Sequence, residues 1–371
     1  MTLTIPSDPA ELDEGVVQTL IRSKYPDAAV RRVRVLDAAL STDGEQNVST
    51  ARRIGVEVEY SGDVSLDLPR RLLVKVGRPE LGDLPLYTNE VNVYTRLGDS
   101  LPVNTPGCFG AIYDAASGTF GLVLEDLRVD GATFNSATSP TTAADIEKLL
   151  DQLARLHAKY WCTPRFDDDL DWVHPHTSGP IHDLFFDPHG VPALIAHEVR
   201  TQQFKRELVE AVEESTDSLF ANVSAVQQHQ ATLTQTIVHG DTHIGNTYVD
   251  GTGGWGLLDW QLTARGYCMH DVTYIVLTGL TVADRRAHER RLIAYYRDRL
   301  AAAGVADVPP LDQLLDEHRI AAAWCFYIGW LTTPVDNYGW EITVANHIRL
   351  ATAYRDLDTK QAIADLRRSC T

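Results

Sequence analysis

The chain has 371 residues, 44% of them hydrophobic and 23% charged, which is ordinary for a globular protein and leaves room for two domains. Lys and Arg number 33 against 51 Asp and Glu, a net charge of -18. That balance argues against a nucleic-acid backbone or an anionic membrane as the main partner.

In chain order, Asp8-Pro9 opens a helical pattern with Leu12, Val16, Val17, Leu20 and Ile21 on one face, ended before Pro26. Val30 to Leu40 predicts a strand, residues 43–47 a turn, and Ile54 to Tyr60 a second strand of period two. Arg71 to Val76 is a third strand. A helix carrying Glu90, Val91, Val93, Tyr94 and Leu97 follows and ends near Gly98. Phe109 to Tyr113 and Phe120 to Leu124 form a hairpin around Ser117-Gly118, and Glu125 to Gly131 breaks the strand pattern. That break sets the expected boundary between two lobes, 1–126 and 127–371.

Helices dominate the second lobe. Thr141 or Thr142 caps one that runs to about Trp161, with Ile146, Leu149, Leu150, Leu153, Leu156 and His157 on its apolar face. A loop rich in Asp and His spans Asp167 to His189, and two helices cover Val191–Arg206 and Glu207–Gln230. Four more are expected near Val272–Leu280, Asp284–Ala303, Asp312–Leu331 and Ile342–Leu366. A sheet followed by helices is an α+β arrangement. The five cysteines (Cys108, Cys162, Cys268, Cys325, Cys370) are dispersed, as free thiols of a reducing compartment would be. The N-terminus lacks the pattern of a signal peptide, and the longest apolar run, Ile320 to Leu331, is too short to span a bilayer. A cytoplasmic location is expected.

One segment narrows the chemistry. His239 to Asn246 reads His-Gly-Asp-Thr-His-Ile-Gly-Asn, and Gly-Leu-Leu-Asp-Trp follows at 256–260. Phosphoryl transfer needs charge neutralised and an oxygen held in line, and this spacing supplies both needs. Asp241 can receive a hydroxyl proton, while Asn246 and Asp259 offer the hard oxygen donors that suit magnesium. Lys75, flanked by Val and Leu in its strand, must meet an acid or a polar surface, and Glu90 is the candidate partner.

The order of these features resembles the eukaryotic-like kinase fold. It resembles more closely the aminoglycoside phosphotransferase and choline-kinase-like superfamily. Val-His-Gly-Asp-Thr-His-Ile-Gly-Asn, Leu-Leu-Asp-Trp-Gln and the later Gly266…His270-Asp271 are similar to that superfamily's core. Gly44-Glu-Gln-Asn-Val-Ser49 resembles the phosphate loop of its ecdysteroid-kinase-like branch. The resemblance implies a bilobal protein-kinase-like α+β fold, and ATP and Mg2+ as cofactors. In it Asp241 is the catalytic base, Asn246 and Asp259 are the metal ligands, and Lys75 is the phosphate-binding lysine paired with Glu90. Ser49 and its neighbours would cover the phosphates, and the backbone from Glu125 to Leu127 would bond adenine. The reaction implied is transfer of the γ-phosphate to a hydroxyl of a small molecule: an aminoglycoside, sugar, steroid or other metabolite alcohol.

The sequence also departs from protein kinases. It has no G-x-G-x-x-G, Trp260 and Gln261 stand where those enzymes carry Phe and Gly, and the short interval from Asp259 to Asp271 leaves little room for a peptide-docking loop. A protein Ser/Thr kinase and a nucleotide-binding pseudokinase are the alternative readings. The pseudokinase is disfavoured because Asp241, Asn246 and Asp259 are all present.

His239 is expected to be structural, and Asp271 to be a buried carboxylate holding the catalytic loop through backbone hydrogen bonds. His239 and His243 lack the glutamate and the helix of a zinc hydrolase. The aromatic residues Trp324, Tyr327, Trp330, Tyr338 and Trp340 belong mostly to the core. Asp336, Tyr338, Trp340 and Glu341 are the candidate lining of an acceptor pocket.

Overall fold

The computed structural model describes residues 12–37, 50–61, 68–78 and 81–369. The 43–47 turn, the end of the first expected strand and Ser49 lie outside the described residues. The chain forms two compact units, neither of them contiguous. One gathers Met1–Phe134, Tyr248–Gly254 and Leu258–Gln261; the other gathers Asn135–Thr247, Trp255–Leu257 and Leu262–Thr371.

The first unit opens with α1 (Glu14–Arg22), capped by Asp13, which accepts from the Val16 N–H. It continues with β1 (Val30–Asp37), β2 (Ala51–Tyr60), β3 (Arg71–Gly77), α2 (Pro85–Asn92), β4 (Cys108–Asp114), β5 (Thr119–Glu125) and β6 (Thr133–Phe134). Strands β1 to β5 make one antiparallel sheet in the order β1-β2-β3-β5-β4. Period-two alternation puts Ile54, Val56 and Val58 of β2 and Leu72, Val74 and Val76 of β3 into one core with Val17, Leu20 and Ile21 of α1. The helix lies so close that a Cβ on Gly110 of β4 would stand 2.1 Å from the Leu20 carbonyl oxygen. Residues of opposite parity, Arg53 and Lys75 among them, leave the other face.

The second unit holds α3 (Ala143–Lys159), α4 (Pro180–Phe186), α5 (Val191–Thr201), α6 (Gln203–Ala211) and α7 (Thr216–Gln230). After them come β7 (Thr236–Val238), β8 (Thr247–Val249), β9 (Trp255–Leu257), β10 (Ala264–Gly266), α8 (Met269–Gly279), α9 (Val282–Ala302), α10 (Leu311–Phe326), α11 (Val335–Asp356) and α12 (Thr359–Ser369). Of β8, Tyr248 and Val249 count with the first unit, where they pair with β6. Helix α8 is buried along its whole length and packs on α3, α9, α10 and α11. Thr142 caps α3 in a reciprocal capping box with Asp145, as its position suggested.

The antiparallel sheet and mainly helical remainder make this an α+β protein, as expected. Several boundaries differ from expectation, and each difference has a local cause. The 167–189 segment is not all loop, because Pro180 starts α4. The two helices expected over 191–230 are three, broken by extended Gln202 and by Glu213 at φ 57°, after which Ser215 and Ser218 build a new capping box. The last expected helix is two, broken at Asp358 with φ 52°, and a short turn from Val335 precedes the first of them, set off from it by non-helical Gly339. Hydrophobic periodicity does not register such single-residue breaks. No helix among the described residues is long and apolar enough to cross a membrane.

Candidate active site

In the first unit Lys75 projects from the face of β3 opposite α1. Glu90, brought by α2, is 1% exposed and takes Lys75 Nζ at 2.8 Å on Oε1 and 2.7 Å on Oε2. Burial raises the Glu90 pKa against the pull of Lys75, and nearby Asp259 adds to the rise. Lys75 Nζ also lies 3.0 Å from Asp259 Oδ1, and Arg53 Nη2 lies 2.9 Å from Asp259 Oδ2. Asp259 adopts left-handed backbone, φ 64°, a conformation that Asp tolerates better than most residues.

The two residues that depart from the kinase pattern anchor this turn. Trp260 Nε1 donates to Thr105 Oγ1 at 2.9 Å, Thr50 Oγ1 donates to Gln261 Oε1 at 2.8 Å, and Asn89 Nδ2 donates to the Gln261 carbonyl at 2.8 Å. Asn89 adjoins Glu90, so one stretch of α2 fixes both the acid and the turn that carries Asp259.

Glu125 ends β5, where its N–H donates to the Gly107 carbonyl and its Oε2 accepts from the Gly107 N–H. Leu127 begins a 3-10 turn capped by the buried Asp126, whose carboxylate binds Arg128 at 2.7 and 2.9 Å. A cavity of about 460 Å³ borders this segment, lined by Arg70, Arg71, Phe109, Glu125, Asp126 and Val129 among others.

In the second unit β7 pairs with β10 and leads directly into His239-Gly240-Asp241. Gly240 has φ 85°, and a Cβ there would stand 2.0 Å from the Leu262 carbonyl oxygen, so only glycine fits. Asp271, on α8, is fully buried and accepts the His239 N–H at 2.7 Å and the Gly240 N–H at 2.9 Å. This is the loop-holding carboxylate the sequence led us to expect. Burial pushes its pKa up, but the hydrogen bond and charge of His157, with His270 and His239, outweigh burial and hold it at about 2. His157 reaches Asp271 Oδ2 through Nε2 at 3.2 Å and the Tyr296 hydroxyl through Nδ1 at 2.7 Å. Buried His239 sits beneath the loop, its Nδ1 accepting the Asp241 N–H at 3.2 Å.

Asn246 donates through Nδ2 to Asp241 Oδ2 and to the Asp241 carbonyl, both at 2.9 Å. With its nitrogen spent there, its Oδ1 is the atom that could serve a cation. His243 accepts the Gly245 N–H on Nδ1 at 3.1 Å, which leaves the proton on Nε2, 3.7 Å from Asp241 Oδ2. An amide oxygen on Asn246 and a carboxylate on Asp259 are hard donors of the kind magnesium takes.

Of the expected acceptor residues, Tyr338 is 42% exposed, and its ring stands 6.5 Å from that of His243 and 5.5 Å from that of Trp330. Trp340, 59% exposed, meets Phe204 edge-on at 5.1 Å. Glu341 is exposed on the same helix, and Asp336 belongs to its first turn. Gly339, at φ 77°, interrupts α11 between the two aromatic residues. Trp324, Tyr327 and Trp330 are core, as expected. Sequence reasoning did not single out Arg53, Thr105 or Tyr296. Arg53 could have been found only from the strand register, which sets it directly opposite Lys75.

The family model described as "Phosphotransferase enzyme family" matches residues 60–321, well over half of the chain. No curated protein matches the sequence. Among solved structures, the Plasmodium vivax ethanolamine kinase is similar at 11% identity and TM-score 0.53, over 88% of this chain and 84% of that one. The choline kinase LicA from Streptococcus pneumoniae is similar at 14% identity and TM-score 0.43, over 92% and 99% of the two chains. A spectinomycin phosphotransferase in complex with ADP and spectinomycin is similar at 11% identity and TM-score 0.49, over 96% and 98%. The likeness to the ethanolamine kinase is one of fold; the family rests on the match over residues 60–321. This chain belongs to the phosphotransferase enzyme family.

Proposed function

We propose that the protein transfers the γ-phosphate of ATP, as its magnesium complex, to a hydroxyl of a small-molecule acceptor in the cytoplasm. The observation that carries this reading is the meeting of Lys75, Glu90 and Asp259, residues up to 184 positions apart in the chain, within 3.0 Å contacts. A lysine set between a buried acid and a metal-ligand carboxylate is the apparatus for holding nucleotide phosphates.

In this reading Asp241 accepts the acceptor's hydroxyl proton and aims its oxygen at the γ-phosphorus. Asn246 orients Asp241 with its amide nitrogen and offers its amide oxygen to magnesium, while Asp259 supplies the second donor. A magnesium ion held by these two residues would supply charge neutralisation on the phosphates. Lys75 binds phosphate oxygens and Glu90 fixes the ammonium. Ser49 and its neighbours cover the phosphates, and the Glu125–Leu127 backbone bonds adenine. The acceptor lies against Tyr338 and Trp340, with Asp336 and Glu341 as polar lining. Aromatic faces of this kind suit a ring-bearing alcohol: an aminoglycoside, a sugar or a steroid. The division of labour follows the expected lobes, nucleotide with 1–126 and acceptor with 127–371. Neither a nucleic acid nor a membrane is among the proposed partners. Free thiols at Cys108, Cys162, Cys268 and Cys325 support a reducing compartment.

ADP release from ATP over a panel of small alcohols, beside a generic protein substrate, tests the proposal. Turnover with an alcohol that Asp241→Asn abolishes is the expected result. No turnover with any alcohol, or turnover that survives Asp241→Asn, overturns it. Phosphorylation of the protein substrate alone would favour a protein kinase, and ATP binding without transfer a pseudokinase.

A further inference from the structure

Arg53 takes no part in the roles assigned above. It stands opposite Lys75 in the β2–β3 register, and directly opposed residues of an antiparallel pair share a face of the sheet. The two cations divide Asp259 between them, Lys75 on Oδ1 at 3.0 Å and Arg53 on Oδ2 at 2.9 Å. Both oxygens of the proposed metal ligand are therefore already bonded to positive charge. The cations are not equivalent. Lys75 is 3% exposed and anchored by Glu90, whereas the Arg53 side chain is 31% exposed. Arg53, Lys75, Glu90 and Asp259 sum to zero charge, so a divalent ion joining Asp259 would meet two cations already in place.

We propose that Arg53 is a second phosphate-binding cation, which holds Asp259 in the nucleotide-free protein and exchanges that carboxylate for phosphate oxygens when the magnesium nucleotide binds. The exchange would leave neither group without a counter-charge: magnesium would replace the guanidinium on Asp259, and the triphosphate would receive the guanidinium. Lys75 cannot make the same exchange freely, because Glu90 retains it. A planar guanidinium is suited to the task, since its forked donors match two phosphate oxygens at once. The proposal rests on the phosphotransferase reading and adds to it a residue outside the family motif.

The test is binding rather than turnover. Calorimetry of the full-length protein with ATP plus magnesium, and electron paramagnetic resonance titration of the nucleotide-free protein with Mn2+, are compared for the wild type, Arg53→Met and Arg53→Lys. Arg53→Met is expected to weaken nucleotide binding about tenfold or more, the scale of a lost charge-assisted contact. It is also expected to tighten Mn2+ binding, because the competing guanidinium is gone. Arg53→Lys, which keeps the charge but not the fork, should fall between and guards against misfolding of Arg53→Met. A residue that merely props the sheet would weaken both ligands together. Nucleotide affinity within about twofold of wild type in both variants, or Mn2+ affinity that is unchanged or lowered in Arg53→Met, overturns the proposal. A wild type that binds no ATP overturns the phosphotransferase reading itself, a result distinct from a wild type that binds and variants that bind equally.

Discussion

Asn246 donates both hydrogens of its side-chain amide to Asp241, one to the carboxylate and one to the backbone carbonyl, each at 2.9 Å. A single side chain thus sets the rotamer of the proposed base and the curvature of its loop. Asn246→Ala removes that brace together with the amide oxygen offered to magnesium. Its kcat is expected to fall about 100-fold or more, the size seen when one electrostatic contact to a transition state is lost. The melting temperature should change by only a few degrees. Wild-type kcat in Asn246→Ala would sink the assignment.

The Lys75–Glu90 pair is buried, so removing one partner strands the charge of the other. Glu90→Gln is expected to destabilise the full chain by about 3 kcal/mol or less, because Asp259 still contacts Lys75. The double variant Lys75→Met/Glu90→Gln should be more stable than the sum of the single effects predicts. Denaturant unfolding of the four proteins decides it. Strict additivity would mean the two groups do not interact.

Asp271 links the loop that carries Asp241 to pH. Its pKa in the folded chain is about 2, below the ordinary 3.8 of a carboxyl, so the native state favours its charged form. The contribution is fully present above about pH 4 and is lost as pH falls toward 2; the difference corresponds to about 2 kcal/mol. The stability gap between wild type and Asp271→Asn should therefore be widest near neutrality and close in acid. Urea unfolding at a series of pH values checks this, and a gap independent of pH would contradict it.

Of the proposed acceptor residues, Tyr338 is the one whose ring contacts lead to the Asp241 loop, through the rings of His243 and Trp330. Once an acceptor is found, Tyr338→Ala should raise its KM about tenfold, the loss of an aromatic contact face, and leave the KM for ATP alone. Trp340, which leans on Phe204, should show a smaller effect of the same kind. If neither KM moves, the acceptor binds elsewhere.

What the sequence disclosed and what it withheld divide by range. Asp241 and Asn246 share one short loop, so their relation was legible from spacing alone. The Lys75–Glu90 pair was legible because a strand and the next helix are consecutive elements. Asp271 could be read from its following the motif on an apolar helix. Arg53 was not legible: its partner lies 206 residues away, and only the strand register brings the two together. The Thr50–Gln261 and Asn89–Gln261 bonds were hidden for the same reason. Helix breaks at Gln202, Glu213 and Asp358 escaped because each depends on one residue's backbone angle rather than on a repeating pattern.

The first unit recruits residues 248–254 and 258–261 from far down the chain, and Asp259 comes with the second of these stretches. Gene truncation therefore cannot isolate the first unit intact, although strands β1 to β5 all precede Phe134. A fragment ending at Phe134 would keep Arg53, Lys75 and Glu90 but lack the carboxylate that joins them, and β6 would lose its partner strand β8. Its tight cluster would hold two cations against one acid. During synthesis on the ribosome the same constraint applies: the Arg53–Lys75–Glu90–Asp259 cluster stays incomplete until more than two thirds of the polypeptide has emerged.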